Sequence, residues 1–65
     1  MIGEINWFNK EKGWGFIRAN GYAKGVFLHR KQLRFPIEEA VPNLAVHFDV
    51  ETTVKGAQAR NVRKA

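Results

Sequence analysis

The sequence predicts a small all-β domain, a barrel of five short strands, from three observations. Apolar residues alternate with polar ones or form short β-branched and aromatic runs, a pattern typical of strands. Glycine and asparagine turn signals separate these runs at close spacing. No segment has the length or periodicity of a lasting helix, and no linker or repeat interrupts the 65 residues. We therefore expect residues 1–65 to form a single domain.

Three strands and two turns are predicted in the N-terminal half. Ile2–Phe8 is rich in β-branched and aromatic residues and is predicted to be the first strand. The polar stretch Asn9–Gly13 ends in glycine and predicts a turn. Trp14–Arg18 then resumes a strand, and Asn20–Gly21 is a strong hairpin signal because both residues tolerate positive φ. Val26–His29 is predicted to be the third strand.

The C-terminal half predicts two single helical turns followed by two strands. Arg30–Arg34 and Pro36–Val41 are too short for stable helices, and a proline follows the second. Ala45–Val50 alternates apolar and polar residues, which indicates a half-buried strand. We expect Thr52–Gly56 to connect it to a fifth strand over Ala57–Val62.

Positive charge and aromatic rings are concentrated in the same half of the chain. Eleven Lys and Arg residues oppose six Asp and Glu residues, a formal charge of +5. Residues 1–35 contain seven of the bases and only two of the acids, and they hold every aromatic residue except Phe48. Cations attract phosphates and rings offer bases a stacking surface, so this combination favours a nucleic-acid partner.

Strand alternation predicts an exposed aromatic face on the second and third strands. Alternate residues of a strand point the same way, and the aliphatic residues are the natural core. The expected core set is Ile17, Val26 and Leu28. The opposite face would carry Lys12, Trp14, Phe16, Phe27 and His29. Contiguous exposed apolar surface usually marks a binding site. The alternative, in which the rings form the core, would leave the aliphatic residues in water against their burial preference.

Two strand registers are compatible with this hairpin. If Asn20–Gly21 is the two-residue turn, Trp14 lies opposite Phe27. If the turn is Gly21–Tyr22, Phe16 lies opposite Phe27. Both registers keep the rings on one face, and the sequence leaves the choice open.

At these residues the chain resembles a cold-shock domain, the small nucleic-acid-binding barrel of bacterial cold-shock proteins and Y-box proteins. Lys12–Ile17 is similar to the first nucleic-acid motif of the family, and Val26–His29 is similar to the second. Trp7–Asn9 and Lys55–Ala59 match the flanks, so the similarity covers nearly the whole chain. The resemblance implies a five-stranded antiparallel barrel of the oligonucleotide/oligosaccharide-binding (OB) fold.

The resemblance also implies that single-stranded RNA or DNA lies across the first three strands, with chaperone activity that keeps RNA unpaired. Lys12 would contact phosphate. The base-stacking side chains would be Trp7, Trp14, Phe16, Phe27 and His29. Secondary contacts would come from Phe8, Arg30, Phe35, Lys55 and Gln58. Alternation by itself places Trp7 with Ile5 on the core side, so its exposure is implied by the resemblance alone, and for Phe8 core and surface both remain open.

The chain departs from the usual family pattern at several positions. Asn6 replaces the usual lysine before the motif tryptophan, and Arg30 replaces a frequent aromatic residue after the motif histidine. Gly25 stands where an acid is common, and Leu33–Leu44 matches the family poorly. We expect a monomer, although that divergent segment could also support a dimer.

Other function classes find little support in the sequence. With two histidines and neither cysteine nor serine, it contains no nucleophile–base or metal-ligand pattern, so we expect neither an enzyme nor a metal or other cofactor. No basic helix is available for a duplex groove. A barrel that binds another protein through the same aromatic face is the main alternative.

The absence of cysteine, of a long apolar run and of a secretory signal suggests a cytoplasmic protein without a membrane segment.

Overall fold

The computed structural model describes residues 1–65, in which five strands close into a barrel. The strands are β1 (Ile2–Asn9), β2 (Trp14–Ala19), β3 (Tyr22–His29), β4 (Ala45–Thr53) and β5 (Gly56–Lys64). Their order around the barrel is β1-β2-β3-β5-β4. All neighbours are antiparallel except β3 and β5, which pair in parallel at Phe27 and Gln58. In a closed ring with an odd number of strands, strand direction cannot alternate at every junction, so at least one pair must be parallel. The predicted five-stranded all-β barrel is therefore confirmed, but it is not antiparallel throughout.

The predicted elements are present, and several bounds differ. Two 3₁₀ helices, Arg30–Gln32 and Ile37–Glu39, occupy the two segments for which single turns were predicted. The predicted connection Thr52–Gly56 is wrong in extent, because β4 continues to Thr53 and β5 begins at Gly56. The Thr53 hydroxyl accepts a hydrogen bond from the Lys55 N–H (3.1 Å), which shortens this connection to a tight turn. Both helices are single 3₁₀ turns, and neither could span a lipid bilayer.

The barrel interior is aliphatic, with one aromatic ring at its centre. The predicted core residues Ile17, Val26 and Leu28 are fully buried, and Phe48 from β4 is the largest buried side chain. The remaining core residues are Ile5, Ala40, Val46, Ala59 and Val62. Since no other aromatic residue is fully buried, the N-terminal rings must lie outside this core.

The β2–β3 hairpin has the turn of one predicted register and the ring pairing of the other. Asn20–Gly21 is the turn, with Ala19 paired to Tyr22, yet Phe16 pairs with Phe27. An irregularity reconciles the two, because three residues of β3 (23–25) lie opposite the single residue Arg18 of β2. Two extra residues preserve the strand alternation, so the rings stay on one face in either register.

A second irregularity, in β1, places Trp7 on the outer face. Ile5 pairs with Ile17 but Trp7 pairs with Phe16, so Asn6 is one extra residue in β1. Such a bulge inverts the side-chain alternation that follows it. Ile5 is therefore fully buried while Trp7 is exposed, and the placement of Trp7 with Ile5 by alternation is wrong.

Gly15 is required by the close approach of β1. A Cβ atom on Gly15 would lie 2.2 Å from the Trp7 carbonyl oxygen and 2.7 Å from the Phe8 Cα. Both neighbours are backbone atoms, so no side-chain movement could relieve the contact. The side of β2 opposite its rings is therefore covered by β1 at this point.

Candidate nucleic-acid interface

Four rings from three strands form one continuous cluster on the outer surface of β1–β3. The Trp7 and Trp14 centroids are 5.0 Å apart in an edge-to-face arrangement, and those of Phe16 and Phe27 are 5.8 Å apart. Trp14 and Phe27 are nearly parallel, with a 26° interplanar angle at 6.1 Å. Trp7 also lies 5.7 Å from Phe16, so each ring has at least two ring neighbours. Such mutual contacts hold the ring faces in place before any ligand arrives.

His29 extends this cluster at its β3 end. It pairs directly with Trp14 across the hairpin and is half-buried. Its Nδ1 atom accepts a hydrogen bond from the Lys31 N–H (3.1 Å), which caps the first 3₁₀ helix and fixes the imidazole ring. We call Trp7, Trp14, Phe16, Phe27 and His29 together the aromatic platform. The structure thus brings together every residue for which a base-stacking role was predicted.

Lys12 lies in the β1–β2 turn, because β2 begins only at Trp14. Strand alternation therefore does not determine the direction of this side chain, contrary to the sequence argument. The turn is well defined, since the Asn9 side-chain oxygen accepts from the Lys12 N–H (2.9 Å) and the Asn9 carbonyl accepts from the Gly13 N–H (2.7 Å). Lys12 is exposed and its ammonium group has no hydrogen-bond or ion-pair partner within the protein.

The basic residues divide into those paired with carboxylates and those without such a partner. The ion pairs join Arg18 to Glu4, Arg60 to Glu51 and Lys64 to Glu39. The basic side chains without a carboxylate partner are Lys10, Lys12, Lys24, Arg30, Lys31, Arg34, Lys55 and Arg63. Of these, Lys24 and Lys55 line a groove together with Phe16 and Phe27.

Arg30 and Lys55 lie at opposite sides of the platform. The Arg30 side chain covers Gly13 at the Trp14–His29 side, where its Cδ would be 2.5 Å from a Cβ on that glycine. Lys55 lines a groove between β3 and the β4–β5 turn, together with Phe16, Phe27, Lys24 and Gln58. Both residues were predicted as secondary contacts; Lys55 borders Phe16 and Phe27, and Arg30 lies at the glycine that precedes Trp14.

Gln58 is held beside the platform by its neighbours on β4 and β5. It is the parallel partner of Phe27. Its amide nitrogen donates to the Thr53 hydroxyl (3.4 Å), and its oxygen accepts from the Arg60 guanidinium (3.4 Å). These contacts hold the amide in the groove that Phe27 also lines, and its secondary contact with nucleic acid stays a prediction.

Phe8 and Phe35 are not part of the platform. Both are partly buried and pack against the core cluster. Phe8 pairs with Gly15, two positions beyond the extra residue Asn6 and on the face opposite Trp7. Their secondary contacts with nucleic acid stay predictions, and the structure gives each a packing role.

Sequence reasoning missed Lys24 and the polar group formed by Asn6 and Arg18. Lys24 borders both the groove at Lys55 and a depression beyond Trp7 and Phe16. Its position depends on the irregularity at 23–25, where Gly25 has a φ of 81°. An isolated glycine before an apolar strand is a signal for such an irregularity and could have indicated it.

Comparison with known proteins agrees with this geometry. The family model described as the "'Cold-shock' DNA-binding domain" matches residues 1–65. Cold shock protein CspC of Bacillus subtilis is 45% identical, with 97% of this chain and 96% of that protein covered. Cold shock protein ScoF of Streptomyces coelicolor is 39% identical, with the same coverage of 97% and 96%. Y-box-binding protein 1 of Xenopus laevis is 34% identical over 95% of this chain but only 22% of its own length. With this match, the exposed rings and the unpaired cations, the chain belongs to the cold-shock domain family of nucleic-acid-binding proteins.

Proposed function

We propose that this protein binds single-stranded RNA or DNA with low sequence specificity and acts as an RNA chaperone, in the cold-shock response or in the regulation of gene expression. The observation that carries the proposal is the aromatic platform, five rings exposed or half-buried on one sheet face. Proteins of the family are non-enzymatic, so the chain is a binding protein and not an enzyme.

Stacking accounts for the expected affinity. Each base stacked on an aromatic ring contributes about 1–3 kcal/mol, and every base has a π-face, so selectivity stays low. Three or four stacked bases supply enough gross free energy for micromolar binding after the ordering costs of a flexible strand. Paired bases cannot present their faces to rings, so the platform favours unpaired strands over duplex.

Cations next to the platform supply a second, salt-dependent contribution. Lys24 and Lys55 line a groove together with Phe16 and Phe27, Arg30 lies against Gly13, and Lys12 is exposed in the β1–β2 turn. None of these four cations has a carboxylate partner. In a plot of the logarithm of the binding constant against the logarithm of the salt concentration, each phosphate neutralised on a single strand contributes about −0.7 to the slope. Binding is therefore expected to weaken with added salt without vanishing, because stacking persists.

Chaperone activity would follow from mass action. A protein that binds unpaired but not paired bases lowers the free energy of the open state, and the effect grows with the concentration of free protein. Many copies bound along an RNA would therefore hold it open without hydrolysis of a nucleoside triphosphate.

Tryptophan fluorescence gives a direct test, because Trp7 and Trp14 are both in the platform. We expect oligothymidine and oligouridine to quench the emission at micromolar concentration, and a matched duplex to compete poorly. A hairpin RNA labelled with a fluorophore and a quencher should open as protein is added. Absence of quenching at every salt concentration would contradict nucleic-acid binding and favour a protein partner for the same rings. Quenching without opening of the hairpin would contradict only the chaperone role.

A further inference from the structure

A shallow depression continues the outer sheet surface beyond Trp7 and Phe16. Its polar lining includes Asn6, Arg18 and Lys24. Small residues at the irregularity of β3, including Gly25, leave the space open. One end of the depression is therefore a ring face of the platform, and one side carries a cation without a carboxylate partner.

The β1 bulge turns Asn6 towards this depression. Asn6 and Trp7 are consecutive in β1 and both are exposed, an arrangement that regular strand alternation excludes. Bulges commonly redirect a side chain next to a binding site. Asn6 and Trp7 consequently line the same depression on the outer surface of the sheet.

Arg18 determines which end of the Asn6 amide is free. Its Nη1 donates to the Asn6 Oδ1 at 2.7 Å, while its Nη2 donates to Glu4 (3.1 Å) and to the Asn43 Oδ1 (2.8 Å). A guanidinium group is only a donor, so the atom of Asn6 that faces it must be the oxygen. With three acceptors from β1 and the loop before β4, the guanidinium is held in one orientation.

The amide nitrogen of Asn6 is thus left as an exposed donor without a protein acceptor. A free asparagine can rotate its amide and offer a donor or an acceptor to a base, but this one offers only N–H. Thymine and uracil present a carbonyl oxygen at the position where cytosine presents an amino group. The fixed N–H of Asn6 can donate to the carbonyl oxygen of thymine or uracil. With cytosine it would face the amino group, which is also a donor.

We propose that the depression is an additional nucleotide subsite, in which the Asn6 amide N–H donates to the carbonyl oxygen of a uracil or thymine next to Trp7. Arg18 is a positioning residue that acts through Asn6, and Lys24 supplies the charge for the adjoining phosphate. The proposal rests on single-strand binding and adds one base preference, at one position, to an otherwise unselective platform.

A position scan tests it. Single cytosines replace each thymine of an oligothymidine in turn, and affinity is measured by tryptophan quenching. In the wild-type protein one position should lose about tenfold in affinity, the equivalent of one hydrogen bond, and the other positions about twofold or less. Asn6→Ala should abolish the loss at that position.

Arg18→Met separates orientation from contact, because it keeps Asn6 and frees its amide to rotate. The ratio of thymine to cytosine affinity should fall to about one at the sensitive position, and this ratio is independent of the lost charge. Asn20→Ala is the matched control, since Asn20 borders the same depression at the β2–β3 turn and makes no side-chain hydrogen bond. It should preserve the tenfold preference.

Each outcome decides one question. A wild-type protein that binds oligothymidine equally well whatever the cytosine position overturns the subsite and leaves the proposed function intact. Persistence of the preference in Asn6→Ala also overturns it, and would make the Arg18 cluster a purely stabilising feature. Failure of oligothymidine to bind at all contradicts the proposed function itself. Thermal melts of all three variants confirm that the compared proteins are folded.

Discussion

The cations next to the aromatic platform and the cations of β4 and β5 differ in how often they have a carboxylate partner. Around β4 and β5, Arg60 pairs with Glu51, and Lys64 pairs with Glu39. Around the platform, Lys12, Lys24 and Lys55 have no acidic partner. Two cations are exceptions, because Arg18 on β2 pairs with Glu4 and Arg63 on β5 has no carboxylate partner. Apart from these two, the residue types that form ion pairs near β4 and β5 remain available to a ligand next to the rings. The net charge of +5 is therefore informative only once its members are assigned to surfaces.

The inner and outer faces of β2 and β3 show a second contrast. Ile17, Val26 and Leu28 are fully buried, whereas Phe16 and Phe27 lie on the opposite side, half-buried by one another and by their neighbours. Folding and binding therefore depend on different side chains of the same strands. Substitutions on each face test this separation.

Phe48→Ala should affect folding most. Phe48 is the largest fully buried side chain, and truncating a buried phenylalanine costs about 3–5 kcal/mol. That is a large share of the stability of so small a domain. Urea denaturation followed by circular dichroism should show a much lower midpoint or an unfolded protein. A near-native midpoint would contradict the assignment of Phe48 to the barrel centre.

Phe27→Ala should weaken binding and leave the denaturation midpoint nearly unchanged, whereas Phe48→Ala lowers the midpoint. Removing one stacking ring should cost about 1–3 kcal/mol of binding, roughly fivefold to a hundredfold in affinity, at low and high salt alike. Val54→Ala is the control, because Val54 is fully exposed at 104% and does not line the groove next to Phe16 and Phe27. Equal affinities of the two variants would break the link between platform and ligand.

Lys12→Ala should have the smallest effect, confined to the salt dependence. Loss of one phosphate contact should reduce the slope of log affinity against log salt by about 0.7. Lys64→Ala changes the net charge equally but removes a cation that is paired with Glu39. The slope should therefore stay unchanged in that variant. A similar reduction in both would mean that the ligand responds only to total charge.

The core and the exposed rings of the hairpin were predictable because strand alternation has a strict period of two. It holds wherever the strands are regular, so Ile17, Val26, Leu28 and the opposite rings were assigned correctly. It fails at Trp7, where the extra residue Asn6 shifts the alternation by one. The β1 bulge has no marked sequence signal, and only the pairing of β1 with β2 reveals it.

Sequence patterns also could not predict the position of Lys24 or the contacts of Arg18. The direction of Lys24 depends on three residues of β3 opposing one of β2, a property of the strand pair and not of either strand alone. The contact of Arg18 with Asn43 joins residues 25 positions apart and requires the loop before β4 to fold back onto the barrel. Such contacts depend on the closed barrel and follow from no local pattern.

The hydrogen bond from the Lys31 N–H to the imidazole of His29 makes this backbone amide a built-in spectroscopic reporter. A base stacked on the imidazole adds the shielding of its own ring current and polarises the imidazole, and the amide proton bound to Nδ1 senses both. In an ¹⁵N–¹H spectrum, the Lys31 resonance should therefore follow occupancy at the β3 end of the platform. Together with the indoles of Trp7 and Trp14, it would show the order in which a strand engages the two ends of the surface.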